Sequence, residues 1–108
     1  MGRGRALELL LAGDPIAAAE AYRIGLVNAV IPQAELLDYC RGWLGKVLAN
    51  GPLALGLVLE AVDTGLACGL EEGLRFEAAA FGVSAATEDS REGTRAFLEK
   101  RRAAFTGK

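Results

Sequence analysis

The groups able to do chemistry in this chain are carboxylates and a few cations, because its 108 residues include no histidine. That absence removes imidazole acid–base catalysis and the commonest nitrogen ligand for metals. The two cysteines, Cys40 and Cys68, stand far apart inside apolar stretches. They read as small buried hydrophobes and not as a zinc site or a disulfide framework. Glu71, Glu72, Asp89 and Glu92 could be drafted as an acid–base pair, one carboxylate taking a proton while another gives one. As solvated helix-end charges near the positive end of the helix dipole they need no further role. That second reading is the better supported, so no catalytic residue and no metal ligand is assigned.

The elements that would position any such group are helices. Strong helix formers at 6–12, then Gly13 and Pro15, predict a first helix to about Leu11. Gly2, Arg3, Gly4 and Arg5 stand where a capping Ser, Thr or Asp would normally be, so the sequence reads as starting inside a larger fold. A second short helix is predicted over 17–24, ended by Gly25. The β-branched run 26–31 before Pro32 predicts a short strand, although one strand cannot complete a sheet.

Within 34–50, Leu37, Cys40, Leu44 and Val47 recur at helical spacing, and Leu36, Trp43 and Leu48 widen the stripe into an amphipathic helix. Gly51-Pro52 breaks and restarts the chain, and Leu55, Val58, Leu59 and Val62 give the next buried face. Leu70, Leu74, Ala78 and Phe81 predict a helix over 70–82. Thr87 is placed to cap a further helix with Glu88 and Asp89 in its first turn. Gly93 then allows a bend before a last short helix over 94–102. Gly42, Gly45 and Gly56 fall inside predicted helices, each at a cost of about 1 kcal/mol relative to Ala. The class is mainly α, with one short extended segment near residues 26–31.

Composition limits what such a fold can be for. Twelve basic against fourteen acidic residues give a net charge of −2, which excludes a general nucleic-acid footprint. Charged residues interrupt every apolar run well before membrane-spanning length, and the first residues do not read as a signal peptide, so a soluble cytoplasmic protein is expected. The apolar share of 52% is high for the length. A domain of this size hides only about two-thirds of its unfolded surface, so apolar surface should remain exposed and seek a partner or another copy.

Several blocks of residues together resemble the C-terminal third of the crotonase family, the enoyl-CoA hydratases and isomerases. The first comprises ALELLLAG at 6–13, Ala19-Glu20-Ala21 and IGLVNAVIP at 24–32. The second is Gly51-Pro52-Leu53-Ala54-Leu55 followed by Leu70-Glu71-Glu72-Gly73-Leu74 and Glu77. The third and most specific is Thr87-Glu88-Asp89, Arg91-Glu92-Gly93, Ala96-Phe97-Leu98-Glu99-Lys100-Arg101 and Phe105-Thr106-Gly107. Ala17 and Ala18 depart from the pattern where members often place Ser or Thr.

The resemblance implies that residues 1–108 are the C-terminal helical part of a crotonase-like domain, the trimerisation region, with the N-terminal ββα core absent. That core holds the oxyanion-hole amides and the acid–base glutamates of hydratases. The resemblance also implies a CoA thioester as substrate, no covalently bound cofactor, and as partners the chain's own N-terminal core and further copies in trimers or hexamers. For the whole protein it implies reversible hydration of a 2-enoyl-CoA. In related hydratases the Ala-Phe-x-Glu-Lys-Arg segment lies by the adenosine end of CoA, so Phe97 and Lys100 are the candidate CoA contacts. Arg101 is a weaker candidate, and Phe105 reads as a packing residue. A stand-alone helical oligomerisation or partner-binding module without catalysis is the alternative.

Overall fold

The computed structural model describes all 108 residues, Met1–Lys108. It is mainly α, as the sequence predicts, with six helices: α1 (Arg3–Ala12), α2 (Ala18–Arg23), α3 (Leu36–Val47), α4 (Pro52–Ala67), α5 (Leu70–Ala85) and α6 (Glu88–Leu98). The chain divides into two units, Met1–Cys40 and Arg41–Lys108. No single helix is long and apolar enough to cross a membrane.

In the first unit α1 starts from Gly2 with no side-chain cap and ends where Gly13, at φ 69°, donates its amide to the Leu9 carbonyl. The uncapped start of α2 at Ala17 follows from the missing Ser or Thr. The helix stops at Gly25, which takes φ 73°. The Gly25 amide turns back onto the Tyr22 carbonyl and the Leu26 amide onto Ala21, the paired closing bonds of a Schellman motif. The strand predicted over 26–31 does not form. Its first amides are drawn back onto Ala21, and no second strand offers the ladder that a β-branched run needs.

In the second unit Pro52 opens α4 at its first turn, directly after Gly51. The helix packs on α5, and the two approach closely enough that a Cβ on Gly73 would lie 3.3 Å from the Gly65 Cα. Thr87 caps α6: its hydroxyl accepts from the Ser90 amide at 3.0 Å and donates to the Ser84 carbonyl at 2.7 Å. The bend predicted at Gly93 is absent, and α6 runs unbroken from Glu88 to Leu98. What Gly93 provides is room: a Cβ there would lie 3.3 Å from Phe105 Cε1, so the ring packs directly over the helix.

The faces predicted as buried are the largest departure. Leu37, Leu44, Val58, Leu59, Val62, Leu70, Leu74 and Phe81 lie exposed, and the buried apolar side chains are Ala21, Ala80 and Ala96. Cys40 is likewise exposed, and Cys68, beside Gly73 where α5 packs on α4, is half-buried. Periodicity identifies which side of a helix is apolar and says nothing about what lies over it. The expected exposed apolar surface is present in these side chains. Part of it lines an open groove of about 450 Å³ on α4 and α5, walled by Val58, Val62, Leu70, Leu74 and Phe81.

Candidate functional site

The residues singled out by sequence gather where α6 ends. Ala96, 2% exposed, anchors that end. Phe97 next to it is 82% exposed, so in this chain it is not a core anchor. Beyond the cap residue Glu99, the Lys100 amide donates to Phe97 O at 3.2 Å and the Arg101 amide to Ala96 O at 3.0 Å. This is the same paired closure that ends α2. At α2 the left-handed position is filled by glycine, whereas here it is filled by Lys100, at φ 53°. A side chain in that conformation costs roughly 1–2 kcal/mol, which a glycine would avoid. Lys100 is exposed and makes no side-chain hydrogen bond or ion pair.

Its neighbour is fully engaged. Arg101 gives Nη1 to Glu92 Oε1 at 2.6 Å, Nη2 to Glu92 Oε2 at 2.9 Å and Nε to Glu99 Oε2 at 2.6 Å. Glu92 also accepts the Ala104 amide at 3.0 Å. The Arg101 guanidinium, helped by that amide, holds the Glu92 carboxyl down at about 2 from its ordinary 4.5. Reciprocally, the hydrogen bonds to Glu92 and then Glu99 raise Arg101 further above its ordinary value. Arg101 is thus spent on the turn and is not a free cation.

Asp89, one turn earlier on α6, is 7% exposed. Its Oδ1 accepts the Thr106 amide at 2.7 Å and its Oδ2 the Gly107 amide at 2.8 Å, while its own amide donates to Lys108 O at 2.9 Å. The start of α4 leans on the same carboxylate, since a Cβ on Gly51 would lie 3.2 Å from Asp89 Oδ2. Residues 104–108 are in this way strapped along α6 by two of its carboxylates, with the Phe105 ring between them over Gly93.

These positions correct the expectation for Asp89 and Glu92, which are not solvated charges but buried and half-buried acceptors. Glu71 does match it: its side chain is 83% exposed and paired with Arg75 at 2.6 Å. Asp89 and Glu92 have their oxygens occupied by donors, which is a structural arrangement and not a proton-transfer one. No group of three or more His, Cys, Asp or Glu side chains is placed to hold a metal ion. The strap itself was missed by sequence reasoning. Its one visible sign is that the two acids stand three apart, on one helix face, and nothing marks residues 104–107 as their donors.

Chemically, the end of α6 presents an exposed aromatic face and an unpaired ammonium on one turn. An aromatic face can stack on a planar base, and an ammonium can pair with a phosphate.

Comparison with known proteins gives this geometry a context. The family model described as "Enoyl-CoA hydratase/isomerase" matches residues 1–108. The chain is 44% identical over 108 residues to the crotonyl-CoA hydratase of Syntrophomonas wolfei, covering 100% of itself and 42% of that protein. It is 38% identical over 102 residues to the short-chain-enoyl-CoA hydratase of Clostridium acetobutylicum, covering 94% of itself and 39% of that protein. Among solved structures, the enoyl-CoA hydratase of Bacillus anthracis superimposes with a TM-score of 0.95 at 38% identity, over 99% of this chain and 42% of that one. The chain thus spans about two-fifths of the length of the relatives it matches.

Proposed function

This chain belongs to the enoyl-CoA hydratase/isomerase family, and from that premise we propose that it is the C-terminal helical part of a crotonase-like domain. In this reading it assembles with the N-terminal core and with further copies, as a trimer or hexamer, and covers the bound CoA thioester. The whole protein adds water reversibly to a 2-enoyl-CoA in the cytoplasm, and the groups that move protons lie outside these 108 residues. Phe97 stacks on the adenine of CoA and Lys100 pairs with one of its phosphates. The substrate is the CoA thioester itself, and no covalently bound cofactor takes part.

The observation that carries the reading is a family match over the full length of a chain whose apolar helical faces lie uncovered. Apolar surface on that scale is stabilised only when something is placed over it.

The test compares the 108-residue chain with the protein made from its natural gene, both assayed for hydration of crotonyl-CoA. We expect the chain alone to be inactive and the gene product to be active. Turnover by the isolated 108 residues would overturn this reading. So would a gene product of 11.3 kDa that unfolds cooperatively and ignores enoyl-CoA, which would instead be a helical module that binds partners without catalysis.

A further inference from the structure

The left-handed residue at the end of α6 is unusual for what it is. The same closure at α2 uses Gly25, and α1 ends on Gly13, so this chain uses glycine at the two comparable positions. At Lys100 it carries instead a long cationic side chain that pairs with nothing. Backbone strain of this kind persists where surrounding structure over-determines it, and the surrounding structure is visible. Glu92 takes the guanidinium of the next residue with both oxygens and also accepts the Ala104 amide, closing the chain on either side of the turn. Glu99 takes the remaining Nε of the same guanidinium. Both oxygens of Glu92 are occupied in this way, while Glu99, next to Lys100 in sequence, turns its Oε2 to Arg101 and not to Lys100.

We propose that Glu92 is a positioning residue for the CoA nucleotide: by gripping Arg101 it locks the left-handed turn and keeps the Lys100 ammonium free for a phosphate. The inference rests on the CoA contact proposed above for Lys100 and goes beyond it by giving Glu92 and Arg101 their roles. Arg suits the grip because its planar fork fills both carboxylate oxygens at once, which an ammonium cannot do. If Glu92 were lost, Arg101 would be released as a competing cation and the turn could relax into ordinary helical or extended backbone.

The experiment uses the protein made from its natural gene and compares kcat/KM for crotonyl-CoA with kcat/KM for crotonyl-pantetheine, which lacks the nucleotide. The ratio of the two reports the nucleotide contact alone. Lys100→Gly should lower that ratio about tenfold, the size of one charge-assisted hydrogen bond, while raising the melting temperature because the strain is relieved. Glu92→Gln should lower it by a similar factor, and the double variant should fall no further than Lys100→Gly alone. Arg101→Lys, which keeps the charge but loses the fork, should lose part of the ratio. If Lys100→Gly lowers the ratio and Glu92→Gln does not, the positioning role is wrong and the CoA contact stands. If Glu92→Gln depresses both substrates equally, Glu92 is merely structural. If Lys100→Gly leaves the ratio unchanged, the CoA contact itself fails and the positioning role with it.

Discussion

Glu92 gathers two nitrogens of one guanidinium and a backbone amide, and its titration reports whether they remain in place. Its carboxyl is held at about 2, below the ordinary 4.5, by the Arg101 guanidinium and the Ala104 amide. A carboxyl depressed in the folded state stabilises fully above its unfolded value and loses that contribution as protons are taken up on the way down. The stabilisation from Glu92 should therefore be constant above about pH 5 and disappear between about 4.5 and 2. The Ala104 amide resonance, followed by NMR, should shift across that window and stay put in Glu92→Gln. A shift of the Ala104 amide centred near pH 4.5 would mean that the Arg101 grip does not persist in solution.

Among the elements, α6 shows best what a sequence does and does not disclose. Its start was legible because capping is local: Thr87 and Ser90 are three residues apart, and the hydroxyl-to-amide bond follows from their types. The helix-forming segments and the glycine stops of α1 and α2 were legible for the same reason. Gly93 was misread, since its purpose depends on Phe105, a residue outside the helix that returns over it. The strand at 26–31 was misread because β-branched composition shows a preference and cannot supply a partner. For the candidate site, the resemblance singles out Phe97 and Lys100 as the positions to test, whereas the strap beside their turn depends on pairs 9 to 18 residues apart, which no local pattern discloses.

The two roles of glycine in this unit can be separated. Gly82 lies within α5 with nothing within 4 Å of its Cβ position, whereas Gly93 faces the Phe105 ring at 3.3 Å. Gly82→Ala should stabilise by about 0.4–1 kcal/mol. Gly93→Ala should not, because Phe105 is held between Ala104 and Thr106, both bonded to α6, and cannot retreat freely. Denaturant unfolding of the two variants in the protein made from its natural gene checks this, and equal stabilisation would show that the ring moves aside at no cost.

At the scale of the whole molecule, the uncovered apolar faces decide behaviour in isolation. The 108-residue chain alone should bind the dye ANS strongly, show helical circular dichroism and melt without a sharp transition, as helices without fixed packing do. Trp43, 56% exposed, should emit like a solvated indole in the chain alone. A sharp melt with no dye binding would mean that these helices pack sufficiently on their own. The strap along α6 has a consequence in time as well as in space. The bonds that build α4, α5 and α6 each close over about four residues, while Asp89 meets amides 17 and 18 residues away and, through Gly51, the start of α4. Wide loops are entropically slower to close than narrow ones. The helices and the turn at Lys100, which closes over three and five residues, therefore form before the tail docks, so residues 104–108 are the last of this unit to become native and the first to be lost on unfolding.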